Sequence, residues 1–99
     1  MLNINKKEDN GKLDIALEGR LDTTTAPDLE AVLKESLDGT SVLTLDFADL
    51  EYISSAGLRV LLYAQKIMSK QGEMKLIHVN ENVMEIFEVT GFSDILTVE

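Results

Sequence analysis

The sequence predicts an α/β fold in which helices pack on a mostly parallel central sheet that is opened by an antiparallel hairpin. Apolar and polar residues alternate on both sides of Asn10-Gly11, a pair preferred in tight hairpin turns. Beyond Gly19, apolar residues at helical spacing alternate with short runs of strand-forming residues, which favours parallel strands joined by right-handed crossovers. A chain of 99 residues, 44% of them hydrophobic, suffices for one core, so we expect a single domain spanning residues 1–99.

The first half of the chain is predicted to supply the hairpin, one helix and a central strand. The hairpin strands carry the alternating apolar residues Leu2, Ile4, Leu13, Ile15 and Leu17. Thr25 and Asp28 form the pattern of a capping box at the start of the first helix, and Pro27 suits its first turn. Gly39 is placed to end that helix. The segment SVLTLDFADL that follows has the composition of a well-buried strand.

The second half is predicted to add two helices and two strands, which gives the order ββαβαβαβ. A helix beginning near Ser55 has apolar residues on two sides, as expected for a helix that is widely covered. The segment GEMKLIHVN favours a strand, and Asn82 is placed to cap a third helix. Gly91 is predicted to stop this helix before a last strand, DILTV.

The composition of the chain argues against several kinds of binding partner and against cysteine-based or histidine-rich sites. Nine Lys and Arg stand against 18 Asp and Glu, and a net charge of -9 disfavours nucleic acid and anionic membrane surfaces. The chain has no Cys and a single His, so it lacks both a disulfide framework and a histidine-rich metal cluster. There is no apolar run of signal-peptide or membrane-spanning length, so we expect a cytoplasmic protein without direct membrane insertion.

Serine catalysis and nucleotide chemistry lack their usual motifs. Ser55 lies at a predicted strand-to-helix turn, but Ile53 occupies the position of the first glycine in the Gly-x-Ser-x-Gly elbow. The only imidazole, His78, falls inside a predicted strand, where a structural role is favoured. No phosphate-binding loop or dinucleotide motif is present. We therefore predict no enzymatic activity, no catalytic residue and no cofactor.

Three aspartates have several interpretations. Helix capping is favoured for Asp22, and solvated strand ends are favoured for Asp46 and Asp49. A phosphoacceptor receiver site would need an acidic pair after the first strand and a lysine near the last one, and neither is present. Three carboxylates could also hold a divalent cation, but their spacing is not specific for one, so no metal site is predicted.

The adjacent serines Ser54 and Ser55 allow a structural and a regulatory interpretation. A hydroxyl at the N-cap of a helix accepts a hydrogen bond from a free amide N–H, which contributes about 1 kcal/mol. The same helix end, with its unpaired amides and positive dipole, also tolerates a covalently attached phosphate. Phosphorylation would leave the fold intact. A partner that packs on the serine would then meet like-charge repulsion or the cost of desolvating the phosphate.

The segments GRLDTTTAPDLEAVL, VLTLDFADLEYISSAGLRVLL and TGF together resemble the STAS domain of bacterial anti-sigma factor antagonists. The resemblance covers nearly the whole chain, so residues 1–99 are expected to form one STAS domain. Its specific parts are Gly19, Leu21 and Asp22, then Asp46, and then Ser55, Gly57 and Leu58.

The resemblance implies a regulatory function. In the family, the serine two residues before the motif glycine is phosphorylated by a kinase that is itself the anti-sigma factor, and here that serine is Ser55. Unphosphorylated, the protein is expected to bind the anti-sigma serine kinase and release the sigma factor, and a serine phosphatase would reverse phosphorylation. The kinase supplies the nucleotide. The expected partner-binding residues are Asp22, Thr23, Ser54, Ser55, Ala56, Gly57, Leu58 and Arg59.

Two positions beside Ser55 differ from the residues that are common in the family. The residue before the phosphorylated serine is commonly Asp and the residue after it Ser or Thr, whereas this chain has Ser54 and Ala56. Ser54 is therefore an alternative phosphorylation site.

STAS domains also serve as accessory subunits of membrane lipid-transport ATPases without being phosphorylated. In that alternative, Ser55 simply caps its helix.

Overall fold

The computed structural model describes residues 2–99. Its helices and strands are β1 (Leu2–Asp9), β2 (Lys12–Leu21), α1 (Ala26–Ser36), β3 (Val42–Ile53), α2 (Ser55–Gln71), β4 (Glu73–Ile77) and α3 (Glu81–Thr90), followed by a 3₁₀ turn, Phe92–Asp94. The strands form one sheet in the order β1-β2-β3-β4. The β1–β2 pair is antiparallel, and the β2–β3 and β3–β4 pairs are parallel. This confirms the predicted α/β class and the mostly parallel sheet.

The hairpin turn has the backbone conformation that its sequence predicts. Asn10 and Gly11 have φ values of 48° and 82°, and both lie in the left-handed region required by a two-residue turn that matches strand twist. Alternate residues of β2 then point into the core, where Leu13, Ile15 and Leu17 are at most 1% exposed. The alternation thus sets both the register and the buried face of the sheet.

The core lies between the sheet and the helices. Leu29 and Leu33 of α1, Leu61 of α2 and Phe87 of α3 are fully buried. The Phe87 ring packs against Phe47 of β3 with 6.4 Å between ring centroids and a 52° tilt. None of the helices formed by residues 2–99 is long and apolar enough to cross a membrane.

The predicted last strand is reduced to a single bridge. In place of an extended segment from Asp94 onward, Asp94 and Ile95 donate backbone hydrogen bonds to Gly91 and Phe92 and so continue the turn that follows α3. Only the end of the chain reaches β4, where Val98 pairs with Leu76 in parallel. Within residues 2–99 the sheet therefore has four strands plus this bridge.

Two predicted helix caps also differ. Thr25 occupies the N-cap position, directly before α1. Its hydroxyl makes no capping hydrogen bond, so the capping box with Asp28 does not form. Asn80, not Asn82, caps α3, because Asn80 Oδ1 accepts the Val83 N–H at 2.9 Å. Its Nδ2 also donates to the Leu50 carbonyl at 2.8 Å, which fastens the start of α3 to β3.

Candidate functional site

The candidate site forms where β2 and β3 end side by side. Leu21 and Ile53 are register partners in the parallel pair, and the Ser54 N–H donates to the Leu21 carbonyl at 2.9 Å. The chain leaves β2 toward Asp22 and leaves β3 toward Ser55. The structure therefore brings the two predicted segments, residues 22–23 and residues 54–59, to one end of the sheet.

Ser54 is the residue that caps α2. Its backbone is extended, with φ −101° and ψ 176°, and its Oγ accepts the Gly57 N–H at 3.4 Å. Its carbonyl accepts the Leu58 N–H at 3.0 Å and so starts the helical hydrogen-bond pattern. The structural interpretation of a serine at this turn therefore applies to Ser54.

Ser55 has a different environment. It is the first residue of α2, and its side chain is exposed. Among the hydrogen bonds of residues 2–99, none engages the Ser55 hydroxyl, whereas the Ser54 hydroxyl beside it is occupied by the cap. Ser55 thus presents a free hydroxyl on the surface.

Gly57 and Leu58 lie beneath the surface and shape the start of the helix. A Cβ added to Gly57 would come within 2.7 Å of Leu21 Cγ and 2.8 Å of Ile53 Cγ1, closer than side-chain atoms approach one another. Leu58 is buried in the core. Glycine is thus required for α2 to pack directly on the ends of β2 and β3, while Ala56 and Arg59 stay at the surface.

The loop after β2 is held by a network around Asp22 and Thr25. Asp22 Oδ1 accepts the Thr24 hydroxyl at 2.7 Å and the N–H groups of Thr24 and Thr25 at 3.0 and 3.1 Å. The Thr24 hydroxyl bond is the largest influence, and despite partial desolvation these bonds lower the pKa of Asp22 below its ordinary value. The buried Thr25 hydroxyl donates to the Arg20 carbonyl and accepts the Asp22 N–H, both at 2.8 Å. Thr23, next to Asp22, remains exposed.

A shallow depression of about 320 Å³ lies between α1 and α2, and Ala56, the chain neighbour of Ser55, is part of its lining. Its walls combine small apolar surfaces with one acidic and one basic side chain. It is lined by Thr23, Ala26, Pro27, Glu30, Ala56, Arg59 and Val60. Three of the predicted partner-binding residues, Thr23, Ala56 and Arg59, thus share one concave surface.

Sequence motifs did not indicate that Arg20 and Tyr52 border this site. They are register partners at the ends of β2 and β3, and the Arg20 guanidinium carbon lies 4.6 Å from the centre of the Tyr52 ring. Both side chains are exposed. Arginine and tyrosine are enriched among residues that dominate binding at protein interfaces. Only the strand register, which a single sequence does not reveal, could have identified the pair.

The residues Asp46 and His78 form a separate pair. His78 is exposed and follows β4 with φ 58°, so its predicted position inside a strand is wrong. Its Nδ1 lies 3.0 Å from Asp46 Oδ1. Burial by itself raises the pKa of Asp46, but the Ala48 N–H and the His78 ring outweigh it and lower the pKa below its ordinary value. Asp46 lies within β3 and is hydrogen bonded, which differs from the predicted solvated strand end.

This pair lies away from Ser55. Asp46 is the register partner of Ile77 at the end of β4, whereas β3 continues to Ile53, about 20 Å further along the strand. The single imidazole of the sequence is therefore not brought beside the serines. Asp22, Asp46 and Asp49 do not converge either, and residues 2–99 contain no group of three or more potential ligands that could hold a metal ion.

Comparison with known proteins adds the following similarities. The family model described as STAS domain matches residues 3–99. The chain is 42% identical over 91 residues to a candidate anti-sigma factor antagonist, BtrV, of Bordetella bronchiseptica, covering 90% of this chain and 78% of that protein. It is 32% identical over 97 residues to the anti-sigma-B factor antagonist of Listeria monocytogenes, covering 95% and 84%.

Two solved structures share the fold. An anti-sigma factor antagonist from Mycobacterium paratuberculosis superposes with a TM-score of 0.88 at 19% identity, covering 99% of this chain and 85% of that one. The Bacillus cell fate determinant SpoIIAA in its phosphorylated form superposes with a TM-score of 0.76 at 15% identity, covering 98% and 91%. At these identities the likeness is one of fold.

Proposed function

The chain belongs to the STAS domain family, and from this premise we propose that it is an anti-sigma factor antagonist switched off by phosphorylation of Ser55. In the proposed cycle, the unphosphorylated protein binds an anti-sigma serine kinase, and the sigma factor is released. Named antagonists among its relatives support this regulatory role. Such a protein acts by binding, so the proposal needs no catalytic residue or cofactor in this chain.

The observation that carries the proposal is the division of roles between the two serines. Ser54 Oγ accepts the Gly57 N–H and is therefore already part of the α2 cap, so phosphorylation there would have to disturb an existing hydrogen bond. Ser55 is exposed, and within residues 2–99 its hydroxyl makes no hydrogen bond that phosphorylation would break. Ser55 is therefore favoured over the alternative site Ser54.

The chemical step is a phosphoryl transfer that the kinase carries out. The Ser55 oxygen forms a bond to the γ-phosphorus of ATP, the bond to the β-phosphate oxygen breaks, ADP leaves, and a base of the kinase takes the hydroxyl proton. A serine phosphatase restores the hydroxyl with water and releases inorganic phosphate. The predicted cytoplasmic location belongs to this proposal, because such a switch acts where transcription takes place.

Position explains why the phosphate would change binding and leave the fold intact. The phosphate would project from the start of α2, where helix amides and the helix dipole favour negative charge. It would add about 1.5 to 2 negative charges at the edge of the depression between α1 and α2. A partner seated there would meet like-charge repulsion or lose a hydrogen bond. A penalty of about 1.4 kcal/mol weakens binding tenfold.

No structural observation favours the alternative role as an accessory subunit of a membrane lipid-transport ATPase. That alternative assigns the capping role to Ser55, whereas the hydroxyl that caps α2 is that of Ser54. It also leaves the exposed Ser55 hydroxyl without a role.

The test is a pull-down from lysate of the source cells with wild-type, Ser55→Ala and Ser55→Glu proteins as baits, read by mass spectrometry. Ser69→Glu is the matched control, because Ser69 is an exposed serine near the other end of α2. We expect a serine kinase on the wild-type, Ser55→Ala and Ser69→Glu baits, and at least a tenfold loss on Ser55→Glu. Equal kinase recovery on all baits, or recovery of a transport ATPase on all of them, would contradict the proposal.

A further inference from the structure

Arg59 is an exposed cation one helical turn beyond Ser55. Within residues 2–99 its guanidinium makes no ion pair. Glu30 lines the same depression from α1, but its carboxylate lies 4.0 Å from Lys34 Nζ. The cation nearest in sequence to the proposed phosphorylation site therefore has no electrostatic partner within this part of the chain.

The helix places Arg59 and Ser55 on one face. Residues four apart on an α-helix are neighbours, with about 5 to 6 Å between their Cβ atoms. Helical side chains lean toward the N-terminus, so a long side chain at position 59 extends toward position 55. An anion placed N-terminal to a cation at this spacing is the more stabilising order. The planar guanidinium also offers two parallel N–H donors that match two phosphate oxygens.

We propose that Arg59 is the intramolecular partner of the Ser55 phosphate and binds it across the first turn of α2. The inference rests on the proposed phosphorylation of Ser55. In the unphosphorylated protein, Arg59 lines the depression beside Ala56 and is available to a partner. After phosphorylation, its guanidinium turns to the phosphate. The modification thus adds negative charge at the edge of the depression and at the same time withdraws a positive side chain from its wall.

The acidic surroundings of Ser55 increase the effect that a positive counter-ion would have on the phosphate. The chain carries a net charge of -9. Asp22 follows Leu21, whose carbonyl accepts the Ser54 N–H, and Glu30 lies in the lining of the depression. Both disfavour a second negative charge on the phosphate. Arg20, the other arginine of the sequence, rests on the Tyr52 ring. Arg59 is therefore the cation that the helix directs toward the phosphate.

The first experiment measures the second ionisation of the phosphate by ³¹P NMR. Phosphoserine is installed at position 55 during translation, so the sample does not depend on any kinase. Its second pKa is ordinarily about 6. We expect the wild-type value to lie about 0.3 to 0.7 pH unit below that of Arg59→Gln, as expected for a helical ion pair strengthened by charge-assisted hydrogen bonds. Lys66→Gln, at an exposed position further along α2, should titrate like wild type.

The second measurement follows the arginine side chains directly. Arg20 and Arg59 are the only arginines of the sequence, so the Nε–H region of a ¹H–¹⁵N spectrum should contain two signals, and Arg59→Gln assigns them. Phosphorylation should shift the Arg59 signal much more than the Arg20 signal. Equal phosphate titration in wild type and Arg59→Gln, together with an unmoved Arg59 signal, would overturn the inference. Because neither measurement involves a kinase, a negative pull-down would count against the proposed function and leave this result standing.

Discussion

His78 Nδ1 lies 3.0 Å from Asp46 Oδ1, so the residue that follows β4 is tied to the middle of β3. The same carboxylate accepts the Ala48 N–H at 2.9 Å, in the stretch where β3 has one residue more than β2. Asp46 therefore holds an irregular part of the central strand through two hydrogen bonds. Its prominence in the sequence pattern has a structural explanation that is separate from the Ser55 site.

This arrangement predicts how stability depends on pH. The pKa of Asp46 in the folded chain is below its ordinary value of 3.8, so its stabilising contribution is present above that value and is lost as the pH falls through the folded pKa. Between about pH 6 and about pH 3, the melting temperature of wild type should fall further than that of Asp46→Asn. Asp38→Asn, at an exposed position, should behave like wild type. Thermal unfolding followed by circular dichroism measures this, and identical profiles for Asp46→Asn and wild type would contradict it.

Gly57→Ala should destabilise the protein, although alanine is ordinarily the better helix former. The added Cβ would meet Leu21 and Ile53 at less than 3.0 Å, and both are buried. Overpacking of this kind costs about 1 to 3 kcal/mol against a gain of about 1 kcal/mol in helix propensity, so we expect a net loss of up to about 2 kcal/mol. Denaturant unfolding measures the loss. Lys66→Ala, at an exposed position of the same helix, should change the free energy of unfolding by less than about 0.5 kcal/mol.

A double-mutant cycle tests the cause of that loss. Leu21→Ala removes one of the two side chains that the new Cβ would meet, so Gly57→Ala should cost less in that background than in wild type. Equal costs in both backgrounds would mean that contact with Leu21 is not the source of the destabilisation.

The parts of the fold set by local patterns could be predicted from the sequence. The Asn10-Gly11 turn needs two residues that adopt positive φ, and the alternation beside it specifies a buried face, so both are visible in a single chain. Helix ends were harder because several side chains can cap them. Asn82 is predicted to cap α3, but Asn80 does so, and its side chain also bonds to Leu50, 30 residues away.

In the candidate site, too, the local motifs could be predicted from the sequence, whereas the contacts between strands could not. The motif serines and the glycine after them were visible, but which serine caps α2 depends on how the chain leaves β3. That path is fixed by the bond from the Ser54 N–H to Leu21 on the neighbouring strand. The contact between Arg20 and Tyr52 likewise depends on the register of two strands separated by α1. Such non-local relations appear only once the sheet is assembled.

Thr25→Val should destabilise the loop that carries Asp22 and Thr23. Valine matches threonine in shape but leaves the Arg20 carbonyl and the Asp22 N–H without the hydroxyl that joins them. A buried hydrogen-bonding group left without its partner costs about 1 to 3 kcal/mol. Thr23→Val is the matched control, because Thr23 is exposed. Equal free energies of unfolding for the two variants would show that the Thr25 network does not stabilise the loop.

The two serines of the α2 turn should respond differently to the same substitution. Ser54→Ala removes the cap that accepts the Gly57 N–H, which should cost about 0.5 to 1 kcal/mol, or roughly 2 to 8 °C in melting temperature. Ser55→Ala should leave the melting temperature within about 1 °C of wild type, because alanine suits the first turn and no bond of the Ser55 hydroxyl within residues 2–99 is lost. Ser54→Asp keeps an acceptor at the cap and should restore most of the stability. If Ser55→Ala proves the more destabilising of the two, then Ser55 supports the helix, and the case for its hydroxyl as the free phosphate acceptor is lost.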